Sequence, residues 1–191
     1  MRYQIEDIKR ECFDLALHTY ATHYIYSVRQ NNKSKWLKAI TLLGFVVPVL
    51  IGGIVSSYGL DSMISKIALL VLTPIAILQL VISTLSLIYK WDDQCSYYLE
   101  SAIANRTLSE EFHKLAKYPD SDITSYSHSF ELILERNRNR EEQDDKFPFN
   151  DRENRKGMRY SLRRFGRSCQ GCNIIPLDMI STDCNICGNF K

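Results

Sequence analysis

The residues best equipped for chemistry are Cys169, Cys172, Cys184 and Cys187, which form two CxxC units joined by residues 173–183. That connection is short enough to fold back and bring four thiols together. Four converging thiolates make a tetrahedral site that suits zinc, and with no position left for water or substrate such a site is structural. It would also supply folding energy to a tail too small to own a core. Two other uses of the pattern stay open. The thiols could pair as two disulfides, which a cytoplasmic location disfavours, or one unit could be a redox pair, a motif that normally follows a strand and opens a helix. Cys12 and Cys95 stand alone at positions that read as helical.

Nothing else in the chain points to catalysis. There is no glycine-rich dinucleotide loop, no Walker-type loop, no HExxH and no GxSxG. His18, His23, His113 and His128 are scattered, and the pairs Asp92/Asp93 and Asp144/Asp145 are adjacent, so on helices they point in different directions. The expectation is a protein that is not an enzyme. With Lys+Arg 24 against Asp+Glu 22 the net charge is only +2, which by itself singles out neither a nucleic-acid binder nor an acidic tail.

Two elements dominate the positioning. Residues 39–60 and 67–89 contain no charged side chain, and each is long enough to cross about 30 Å of hydrocarbon as a helix. The short link Asp61 to Lys66 forces an antiparallel hairpin with both termini on one side. Arg29, Lys33, Lys35 and Lys38 precede the first span and Lys90 follows the second, whereas the tip carries only Lys66. The positive-inside bias therefore puts both termini in the cytoplasm. Trp36, Tyr58, Tyr89 and Trp91 fall at the span ends, where interfacial aromatics sit. Gly44, Gly52 and Gly53 in the first span permit close helix packing, and Ala76, Gln79, Ser83 and Ser86 form one stripe of the second. The polar members Gln79, Ser83 and Ser86 either line a pore in an oligomer or bond helices together. No acid or base lies at mid-depth, which argues against a proton relay.

The flanking segments read as cytoplasmic helices. Ile5, Ile8, Cys12, Leu15 and Thr19 recur at helical spacing before the hairpin. After it a helix runs past Trp91 to Ile103 and restarts at Thr107 with a capping-box pattern, ending before Pro119. Another is expected from about Tyr126 to Asp144, and a short basic one from Arg152 to Phe165 with Asp151 as its cap. Arg152, Arg155, Lys156, Arg159 and Arg163 share a face of that last helix. This basic surface either docks anionic lipid headgroups, nucleic acid or an acidic partner, or is a solvated face paired with Glu141, Glu142, Asp144 and Asp145. The resulting division is an N-terminal helix over 1–35, the hairpin over 36–91, cytoplasmic helices over 92–146, the basic helix and linker over 147–168, and the cysteine tail over 169–191. The fold class is an all-α membrane protein with a small zinc-ribbon-like module.

This layout, together with the segment RKGMRYSLRRFGRSCQGCNIIPLDMISTDCNICGNFK, resembles the bacterial SLATT-domain proteins, and the cysteine spacing is similar to their mobilome CxxCx(11)CxxC group. The resemblance implies an inner-membrane effector of nucleotide-activated conflict systems, encoded beside a nucleotide synthetase or nucleotide-sensing protein and opening pores that kill or arrest an infected cell. It also implies that Cys169, Cys172, Cys184 and Cys187 are the zinc ligands, while the pore-lining role of Gln79, Ser83 and Ser86 is read from their spacing alone. The competing expectation is a membrane-tethered binding module, whose ribbon and basic helix engage nucleic acid or a protein.

Overall fold

The computed structural model describes residues 4–190, and among them all regular structure is helical. Five helices follow one another: α1 (Ile5–Tyr58), α2 (Met63–Ile88), α3 (Trp91–Lys117), α4 (Ile123–Asp144) and α5 (Asp151–Phe165). The all-helical expectation holds. The chain divides into two compact units, one made of the segment up to Val28 with everything from Tyr98 onward, the other of Arg29–Tyr97.

Several boundaries differ from those the sequence pattern predicts, each for a local reason. No glycine or proline lies between Ile5 and Leu43, so nothing stops the first helix, and α1 runs for 54 residues through the expected boundary near residue 35. The restart expected at Thr107 does not occur. Its hydroxyl donates back to the Ile103 carbonyl at 3.1 Å instead of capping a new helix, and α3 continues unbroken. Conversely, the run-on expected from the second span into Trp91 is interrupted, because Lys90 turns to a φ of 49° and ends α2. The cap of α5 is Asn150, not Asp151. Its side chain accepts from the Glu153 amide while Glu153 accepts from the Asn150 amide, so two amides that no helical carbonyl reaches are satisfied at once.

In the first unit the core is a small aliphatic and aromatic cluster. Ile8, Cys12 and Ala16 of α1 meet Leu108, Phe112 and Ala116 of α3 and Tyr126 and Phe130 of α4. Beside it runs a buried polar network. The Asp144 carboxylate accepts from Ser101 Oγ at 2.7 Å, Asn105 Nδ2 at 2.8 Å and Arg140 Nη2 at 2.7 Å, tying α3 to α4. A buried carboxylate with a guanidinium and two further donors is tolerable where a lone one would not be. Burial pushes the Cys12 thiol up to about 12, so that cysteine packs as a small apolar group and is chemically inert.

α5 lies against α1 through a close backbone approach. A methyl placed at Gly157 would meet the Ala21 carbonyl oxygen at 2.9 Å and the Ile25 side chain at 3.0 Å. Tyr160 stacks on Tyr24 with ring centroids 4.2 Å apart, and Arg167 pairs with Asp14 at 2.7 Å.

The second unit holds the apolar part of α1 and all of α2. Both helices are long and apolar enough to cross a membrane, and almost none of their apolar stretches is buried within the chain. The 26 residues of α2 span about 39 Å at 1.5 Å per residue. Gly59, at a φ of 75°, helps reverse the chain, and Ser62 caps α2 by accepting from the Ser65 amide. At the other end of this unit Lys33 Nζ sits 4.8 Å from the centre of the Trp91 ring.

Candidate metal centre

Among the described residues, 166–190 have no regular secondary structure, and the four cysteines cluster within them. Gly166, left-handed at a φ of 62°, ends α5 and turns the chain into the first CxxC unit. The two units then repeat one local geometry. In the first, the Gly171 amide points at Cys169 Sγ (3.4 Å) and the Asn173 amide donates to the Cys169 carbonyl (2.7 Å). In the second, the Ile186 amide points at Cys184 Sγ (3.4 Å) and the Gly188 amide donates to the Cys184 carbonyl (2.9 Å). Each unit thus aims a backbone dipole at a sulfur that must carry negative charge as a ligand.

Packing the two units together brings all four sulfurs within 4.8 Å of one another, with Cys169 to Cys184 and Cys172 to Cys187 each at 3.8 Å. Metal–sulfur bonds of about 2.3 Å in a tetrahedron require sulfur–sulfur edges of about 3.8 Å. The donor set, its spacing and the aimed amides therefore fit a metal ion held by Cys169, Cys172, Cys184 and Cys187. None of the six cysteines is in a disulfide. The sulfurs also differ in setting. Amide donation from Cys187 and Ile186 lowers the Cys184 thiol to about 7, whereas burial pushes Cys187 up.

The centre is held from below by α5. Cys169 and Cys187 are buried against Leu17 of α1 and Leu162 of α5. Arg159, only 6 % exposed, donates to the Cys187 carbonyl at 3.2 Å, lies 4.0 Å from Cys187 Sγ, and holds the Asp178 carbonyl at 2.9 Å and carboxylate at 3.0 Å. One guanidinium fork therefore ties the middle of the inter-cysteine connection to the last cysteine of the cluster. Residue spacing assigns no role to Asp178 and puts Arg159 on a basic surface. The latter is corrected: Arg159 is buried under the cysteine cluster.

The other basic residues are placed differently from one another. Arg152 and Arg163 are exposed, and Arg155 and Lys156 are half-buried, with the Arg155 Nε enclosed and without a hydrogen-bond partner. Their expected acidic counterpart Asp144 is engaged by Arg140. In the hairpin, Gln79 lies over Gly44, so close that a methyl at Gly44 would meet its Nε2 at 2.8 Å. Ser86 is buried and Ser83 half-buried, which turns the polar stripe of α2 toward α1. Gly52 and Gly53 face open space, with nothing within 4 Å of a methyl built on either.

Fold and site together define an all-helical protein with two helices fit to cross a membrane and a four-cysteine cluster fit to hold a metal ion. The profile of the family described as Mobilome CxxCx(11)CxxC protein matches residues 9–190. The chain belongs to that family. No curated protein and no solved structure matches it.

Proposed function

We propose that this protein is a two-span, non-catalytic effector of the bacterial cytoplasmic membrane, with both termini in the cytoplasm and a tail closed by structural zinc, which acts by assembling with copies of itself and perturbing the bilayer. The observation that carries the membrane part is the unpartnered surface of the hairpin, where Leu42, Phe45, Val49, Leu70, Leu80 and Leu87 are all exposed. Contiguous apolar surface on that scale is not left in water by a folded protein. Lysine and arginine at the open end of the hairpin, against Lys66 alone at its tip, support the orientation. Zinc is the metal that four soft thiolates at tetrahedral spacing favour, and it would act by holding the tail in its fold.

The effector part rests on the mobilome family and on the layout resembling SLATT-domain proteins, with a nucleotide synthetase or nucleotide sensor as the expected neighbour and trigger. Two helices enclose no lumen, so flux requires several chains. The test is ion flux from vesicles reconstituted with the purified protein. Release that rises steeply with protein density supports the effector, and vesicles that stay sealed at all densities overturn it.

A second reading is favoured by the inward-facing stripe. With Gln79 resting on Gly44, the hairpin offers lipid a largely apolar exterior, as a tether would. The protein would then be a membrane-tethered binding module whose tail and basic helix engage a partner. Sealed vesicles together with a partner retained by the intact tail and lost on zinc removal would establish it.

A further inference from the structure

The inter-cysteine connection carries an exposed apolar group that neither the metal centre nor the hairpin uses. Between the two CxxC units, Ile174 is 66 % exposed, Leu177 87 % and Ile180 68 %. Four ligands and one arginine fix this segment from within, so its aliphatic side chains are displayed on a rigid frame. Cations flank them. Lys156 Nζ reaches the ring of Phe190, whose amide donates to Ser181 at the far end of the connection. Arg163, exposed, lies one turn beyond Arg159 on the face of α5 that bonds Asp178. Asp178 itself is neutralised by Arg159.

We propose that the Ile174–Ile180 segment is a second membrane contact, seating its aliphatic side chains at the surface of an anionic bilayer while Lys156 and Arg163 meet lipid phosphates. The pairing of the two features decides the occupant. A nucleic acid would satisfy the cations and leave the aliphatic group in water, whereas a lipid interface takes apolar side chains and cations together. The inference rests on the membrane reading in one respect. A chain anchored by its own hairpin meets the bilayer at high effective concentration, so even a weak contact is populated.

The test uses the full chain in vesicles. A variant carrying Leu177→Trp with Trp36→Phe and Trp91→Phe has one indole, in the connection. In vesicles containing phosphatidylglycerol its emission should shift to the blue and be quenched by brominated lipid. In pure phosphatidylcholine it should remain that of a water-exposed indole. Lys156→Gln and Arg163→Gln should each weaken the anionic contact about fivefold. Water-exposed emission in both lipids overturns the proposal, and so does quenching that ignores lipid charge. Protection that rises with protein density and not with phosphatidylglycerol content overturns it in favour of a second copy as the occupant. The unaltered protein separates this from the membrane reading, since it should resist alkaline extraction and its Trp36 and Trp91 should be quenched whatever the connection does. A hairpin that fails this control means the membrane reading has failed, not the contact alone.

Discussion

Arg159 shows how one side chain can belong to a metal centre without being a ligand. Four thiolates around a divalent ion leave an excess of negative charge, and the guanidinium beside Cys187 is the buried cation available to offset it. Arg159→Met removes charge and fork at similar length, and zinc transfer to a chromogenic chelator should then speed up by about 10- to 100-fold, the usual cost of losing an outer partner of a metal ligand. Arg159→Lys should fall between. A rate unchanged by either would reduce Arg159 to a packing residue. The pH dependence has a definite sign. Cys184 is a group whose pKa is lowered, so the stabilisation of its thiolate by backbone amides is fully present above the free-thiol value of 9.0 and is lost as pH falls through about 7. Metal retention should therefore weaken on acidification below neutral, read as zinc released across a pH series, with Cys184→Ser abolishing binding throughout. The cysteine cluster itself was legible in the sequence because its spacing is local and few other structures need it. Arg159 was not, because helical periodicity reports which residues share a face but not whether that face is covered.

Among the elements, α1 and α5 illustrate what periodicity does and does not convey. Apolar recurrence placed helices correctly along most of the chain, and the absence of glycine and proline before Gly44 explains why α1 has no break where a change of environment was expected. End signals were less faithful, since a hydroxyl such as that of Thr107 can cap a helix or bond back within one, and only tertiary context chooses. The contact between α1 and α5 lies outside what any pattern reveals. Gly157 is there because the Ala21 carbonyl is 2.9 Å from where a methyl would be. Helix propensity alone makes alanine better than glycine by about 1 kcal/mol in a helix interior. Overpacking against a backbone atom, which cannot swing aside, costs about 1–3 kcal/mol. Gly157→Ala should therefore lower the melting temperature of the protein, and Gly157→Val should lower it further. A rise with alanine would mean that α5 does not approach α1 this closely.

At the scale of the whole molecule, the open question is how a hairpin that keeps its polar residues inside could conduct. In a single chain Gln79 is turned toward Gly44 and Ser86 is buried, so a water-filled path requires several copies to exchange these contacts within a hairpin for contacts around an axis. Gly52 and Gly53, where a methyl would meet nothing within 4 Å, would let neighbouring helices approach during that exchange. Three substitutions pull the steps apart. Gly44→Ala places a methyl 2.8 Å from Gln79 Nε2, and since the amide is the free end of a flexible side chain it should swing out, raising flux at a given protein density. Gln79→Leu should reduce or block flux and leave assembly intact, because a ring of leucines in a narrow lumen gates by dewetting. Gly53→Leu should weaken assembly itself, seen as a smaller species after crosslinking in vesicles. If Gln79→Leu leaves flux and growth arrest untouched while assembly is normal, the stripe serves only to bind α1 to α2, and any conducting path runs along another surface.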